Sequence, residues 1–214
     1  MVARILISIV TMSLFIIAMT TWFDIVLSNP SYFVLLPLII SLFHLTTAST
    51  FRLVGLYKYL SPMLLVNMPT NRRYQLHNGT SFDYLLNINR LREFGVKKVL
   101  LGDYLKGLLT IIEEIQTDKL PETVIISGSS YFFSERTANR FGFRVTGASI
   151  HEKLNTVLNY LDLLWMYSLS NNKLSFPDLK NMKSATIVGK ELVEKRKFIE
   201  KLLNRIERTA ATSK

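Results

Sequence analysis

The 214-residue chain carries 26 Lys and Arg against 16 Asp and Glu, a net charge of +10, and no cysteine. Disulfides, thiolate metal centres and a cysteine nucleophile are therefore excluded, in keeping with a reducing compartment. Charge is unevenly placed: Arg4 and Asp24 are the only charged residues before Arg52, so a mean hydropathy of +0.23 averages two unlike regions.

Residues 1–52 read as a transmembrane hairpin. A bilayer core of about 30 Å needs about 20 apolar residues per helix, and the stretches 5–27 and 32–51 each meet that length. "SNPS" between them is a turn, flanked by Trp22, Phe23, Tyr32 and Phe33 as an aromatic belt flanks a membrane interface. A cleaved signal peptide is the rival for the first stretch, but its apolar core is long and "AMTTW" is a poor cleavage site. Arg4 precedes the first span, while Arg52, Lys58, Arg72 and Arg73 follow the second. The positive-inside rule then places both termini in the cytoplasm of a multi-pass protein of the plasma or inner membrane. On that side the sequon at Asn78 to Thr80 is not glycosylated.

Residues 53–69 have Leu53, Leu56, Tyr57, Leu60, Leu64 and Leu65 near helical spacing. They read either as an amphipathic segment in the membrane interface or as part of the domain core. From 70 to 208 the pattern is a helix-rich cytoplasmic domain with few strands, of α/β or α+β class. Ser81 caps a helix that ends at Gly95, with Phe82, Leu85, Leu86, Ile88 and Leu91 as its apolar stripe. Residues 96–115 are strand plus helix, with Asp103 as the cap, or one long helix tolerating Gly102 and Gly107. Glu113 and Glu114 look like a solvated helix end.

"ETVIISGS" is the strongest strand, followed by a short helix from Ser134 to Phe141 that Gly142 stops, and by a second strand in "FRVTG". "HEKLNTVLNYLDLLWMYSLSNN" is a long helix, apolar over more than half its circumference and so expected to be central. "LSFPDLKNMKSATIVG" is loop with one strand at most, and 209–214 is a disordered tail. The final helix, 190–208, carries Leu192, Val193, Ile199, Leu202, Leu203 and Ile206 on one side. That stripe suits docking on the domain, or a protein partner or second copy.

Chemistry concentrates in "SGSSYFFSER", where backbone amides, hydroxyls and a helix start meet. Gly128, Ser129, Ser130 and Arg136 are the candidate anion-binding residues, although the P-loop and dinucleotide glycine patterns are both missing. The stretch "ERTANRFGF", a helix ending in Gly-Phe after a strand, resembles the segment near the end of GNAT acyltransferases over about twenty residues. That resemblance implies a transferase using CoA. The stretch matching the family's pyrophosphate-binding turn, "LLGDYLKG", departs from it by carrying Asp103 and lacking consecutive donors. His44, His77 and His151 are the only histidines. His77 with Asp83, or His151 with Glu152, could make a general base and its orienter, but no motif marks a nucleophile beside them, so structural roles are preferred. With the three far apart no metal site is read and no cofactor is assigned.

Two functions fit these residues. The first is a non-enzymatic binding or regulatory module at the inner leaflet, with the anionic lipid surface as partner for the basic domain. The second is a membrane-tethered transferase for a phosphorylated or acyl substrate. Nucleic acid ranks behind lipid as the target of the charge, since no recognition helix or RNP-type strand is visible.

Overall fold

The protein is described by a computed structural model over residues 2–129, 135–177 and 182–211. Helix α1, Val2–Ser28, runs unbroken because neither glycine nor proline interrupts it. Asn29 then caps a 3-10 turn, Pro30–Leu35, its side chain accepting a hydrogen bond from the Ser31 amide at 3.0 Å. Helix α2, Leu36–Leu53, returns along α1. The Phe15 and Phe43 rings lie 4.8 Å apart near the middle of the pair and those of Trp22 and Phe33 6.0 Å apart near the turn, so the helices are antiparallel. The Trp22 indole N–H also donates to the Tyr32 carbonyl at 3.4 Å. Among the described residues, one stretch, Ile9–Ser28, is long and apolar enough to cross a membrane; the second apolar stretch, Pro30–Phe43, is shorter.

Behind the helix pair stands a mixed sheet of six strands in the order β1-β2-β3-β4-β6-β5. The strands are β1 Tyr57–Ser61, β2 Leu64–Asn67, β3 Arg73–Asn78, β4 Ile125–Ser129, β5 Arg144–Gly147 and β6 Lys183–Val188. Of its pairings β3 with β4 is parallel and the others are antiparallel. A parallel pair needs a long crossover. Here it consists of α3 Ser81–Leu86, α4 Ile88–Phe94 and α5 Val96–Gln116. After β4 come α6 Glu135–Arg140, α7 Ile150–Leu158 and α8 Tyr160–Asn171, and after β6 come α9 Gly189–Glu194 and α10 Arg196–Ala211.

One sheet face, with Val66, Tyr74, Leu76, Ile126 and Ile187, joins a core shared with Leu108, Ile111 and Ile112 of α5 and Leu192, Ile199 and Leu203 of α9 and α10. Each such side chain withdrawn from water contributes about 1.5–3 kcal/mol, which fixes where α5 and α10 lie. Gly107 permits the approach of β2: a Cβ there would stand 2.4 Å from Leu64 Cδ2. A second cluster, Met63, Tyr84, Leu91, Val96, Val99, Leu100 and Met166, holds α3, α4 and α8 to the start of α5.

Several expectations change. Most of residues 53–69 is a strand hairpin, not an interfacial helix; Leu60, Leu64, Leu65 and Val66 are buried in the domain, because the leucine-rich run alternates across a pleat instead of lining a helix. The helix capped at 80–81 breaks at Asn87 into α3 and α4; Thr80 is its cap, in a capping box with Asp83, and Leu85 and Leu86 face outward. Gly95, at φ +81°, is the stop foreseen. Residues 96–116 are one helix, and Asp103 caps nothing: buried in mid-helix, it accepts two hydrogen bonds from Arg90, at 2.6 and 2.8 Å. Glu114 is no solvated end, since it accepts from Lys58 at 2.7 Å and Tyr74 at 3.0 Å. The long helix after His151 is divided at Asn159, and its first half is not central. The last helix splits at Lys195 and continues to Ala211, into the part of the tail expected to be disordered.

Candidate functional site

The candidate residues do not form one visible cluster. Gly128 lies within β4, opposite Leu76 of β3 and Ala185 of β6, where an added Cβ would stand 3.3 Å from Leu76. Close strand packing thus accounts for this glycine without a ligand. Ser129 ends β4 at the register position opposite Ser184. Its side chain, all of Ser130 and the Ser134 cap lie outside the described residues. Arg136 is exposed on α6, a helix of only six residues. The glycine at 142, φ +86°, ends that helix as expected.

The structure assembles a different polar surface. Pairing puts Gln75 beside Ser127, Ser127 beside Thr186, and Arg144 beside Thr186, so these residues share the sheet face opposite the α5 core. Arg73 Nε donates to Ser127 Oγ at 3.3 Å. Arg144 pairs with Glu191 at 2.6 Å and, like Arg73 and Thr146, is exposed. Ser127 and Ser184 are buried at the base of this surface. Helix α7 reaches its edge through Glu152. Burial alone would raise the pKa of that carboxyl, but bonds from the Ser149 amide and hydroxyl, a bond from Ser184 and the charge of Arg73 together hold it below the ordinary glutamate range.

Guanidinium groups beside hydroxyls are donors suited to an anionic or polar partner. A nucleophile with its base is not among the described contacts here: Ser127 is engaged by Arg73, and among the described residues no group of three or more His, Asp and Glu is placed to hold a metal. The alternation Arg73-x-Gln75, Ser127-x-Ser129 and Ser184-x-Thr186 was the available sequence signal. It goes unnoticed because the partner strands are far apart along the chain.

A second polar cluster lies where α2 meets the sheet. The Arg52 guanidinium sits 4.6 Å over the Tyr59 ring, and Tyr59 donates to Asp83 Oδ2 at 2.8 Å. The same oxygen accepts from the Thr80 amide at 2.7 Å and hydroxyl at 2.8 Å. Burial raises the pKa of both Tyr59 and Asp83. Asp83 is thereby taken up by capping α3 and by Tyr59, so it does not orient His77 as a general base. His77 itself is in β3 with its Nε2 buried and unpartnered. The side chains of His44 and His151 lie outside the described residues.

These features define an α+β domain on a mixed sheet, preceded by a strongly apolar helix. Comparison with protein-family models, with curated proteins and with solved structures gives no match.

Proposed function

We propose that the chain is an integral membrane protein whose basic domain serves as a non-enzymatic binding or regulatory module at the inner leaflet. The open sheet face around Arg73 and Arg144 is the contact surface in this reading. The observation that carries it is α1: within the stretch Ile9–Ser28 only 6 % is buried, so apart from the side facing α2 its apolar side chains are left uncovered by the described residues. Such a helix is at home in hydrocarbon and costly in water. The antiparallel packing of α2 on α1 supports a two-span hairpin, and Arg4 and Arg52 at its free ends support cytoplasmic termini. The expected outcome is a chain that stays with membranes through alkaline carbonate extraction and carries a reporter, fused after Lys214, that is active only in the cytoplasm. Recovery in the soluble fraction defeats the anchor, and a reporter active outside defeats the orientation.

Position favours a second reading, the membrane-tethered transferase for a phosphorylated or acyl substrate. Gly128 and Ser129 lie at the carboxyl end of β4 beside parallel β3, where open α/β sheets hold ligands. Here Gly128, Ser129, Ser130 and Arg136 bind the anionic group. The full chain in detergent then gains thermal stability with coenzyme A, nucleotides or sugar phosphates, and Arg136→Ala abolishes the gain. A chain indifferent to all three ligand classes removes this reading.

A further inference from the structure

Helix α7 is built inside out. A helix packed on a soluble domain turns its apolar stripe inward and its polar side to water. In α7, Thr156 is buried at 7 % exposure and Glu152 is bonded inward to Ser184, while Ile150, Leu154 and Val157 stand 84, 57 and 53 % exposed. With Leu158, and Leu161 in the first turn of α8, they fall at helical spacing on one stripe. Glu152 and Thr156 thus turn to the domain, and the stripe of Ile150, Leu154 and Val157 faces outward, uncovered by the described residues.

The geometry points to an in-plane membrane helix: the α7 stripe beds into the headgroup and acyl boundary of an anionic bilayer. This rests on the reading that α1 holds the chain in a membrane. Three observations select lipid as the occupant. The stripe is continuous with the helix pair, since α7 leads through Asn159 into α8, and α8 packs against α2. Further exposed aliphatics, Val54 at the end of α2 and Leu86 on α3 packed against α2, surround the same junction. Finally, the whole +10 net charge lies after residue 51, because Arg4 and Asp24 cancel, so the domain that carries α7 is drawn to anionic headgroups. Interfacial helices of this kind sit about 5–10 Å into the headgroup region.

The absence of cysteine allows a direct test with single labelled positions. The full chain is reconstituted in vesicles of phosphatidylcholine and phosphatidylglycerol containing a lipid with an acyl-chain quencher. Separate fluorophores are attached at Leu154→Cys, Val157→Cys, Asn155→Cys on the flank of α7, Leu14→Cys in α1 and Lys201→Cys on exposed α10. The expected result is loss of fluorescence at 154 and 157 as at 14, with little loss at 155 and none at 201. Quenching at 14 without quenching at 154 and 157 overturns the inference and leaves the anchor standing. Energy transfer between copies at 154, without lipid quenching, assigns the stripe to a second copy and also overturns it. Lack of quenching at position 14 itself shows that the underlying membrane reading has failed.

Discussion

His77 illustrates how a residue's role follows from its surroundings. Burial holds its pKa below the ordinary histidine value of 6.5, so the folded domain keeps the ring neutral. The unfolded chain binds a proton below that value and the folded chain does not. Stability is therefore unaffected above about pH 6.5 and falls as pH drops below it, by at most about 1.4 kcal/mol per pH unit until the folded-state pKa is reached. Denaturant midpoints of the chain in detergent should fall accordingly between neutral and mildly acidic pH, and His77→Gln should flatten that slope. Equal slopes in the two proteins would rule out His77 as the source. Sequence reading placed His77 and Asp83 as a conceivable base and orienter, but spacing cannot show that Thr80 and Tyr59 have already claimed the carboxylate. Gly95 and Gly142, by contrast, were legible because a positive φ at a helix end is a local demand.

At the scale of elements, Asp103 and Arg90 tie α4 to α5. Asp103 keeps 1 % side-chain exposure and Arg90 keeps 36 %, so the carboxylate depends on a partner that water also reaches. Arg90→Ala should destabilise the domain by about 3 kcal/mol, the low end for stranding a buried charge, since solvent screens part of it. Adding Asp103→Leu should restore much of the loss, because a buried ion pair is often replaceable by apolar packing. A double variant as weak as the single one would show that Arg90 acts through something other than this pair. Helices α3, α4, α6 and α8 to α10 and the second half of α5 were foreseen in substance, since caps, stops and stripes are short-range, whereas 96–103 fits strand or helix by pattern alone. Strands β1 and β2 were not, because Leu60, Leu64, Leu65 and Val66 satisfy helical and pleated spacing almost equally, and only pairing with β3 decides. Helix α7 misled for another reason: its apolar coverage was visible and read as central, but which side would face the domain was decided by Glu152, Ser184 and Arg73, far apart in the chain.

In the whole molecule, the sheet order was out of reach of sequence reading. β4 pairs with β3 across the α3 to α5 crossover and with β6 across α6 to α8, and no local pattern encodes either. The polar face was hidden for the same cause, since it exists only once β3, β4, β6 and β5 are side by side. The partition between an almost uncharged first quarter and a basic remainder was legible from the start, and it is what supports a membrane-attached reading. One joint gives that partition a mechanical meaning. Only Val54, Gly55 and Leu56 separate α2 from β1, a reach of about 10 Å at most, and Phe51 against Tyr57 and Arg52 over Tyr59 brace even that. A domain on a long flexible leash would sweep the space beneath its anchor; this one has no leash. Its bearing is set by the helix it grows from, so Arg73 and Arg144 do not search for a ligand: what they meet must come within reach of a fixed mount.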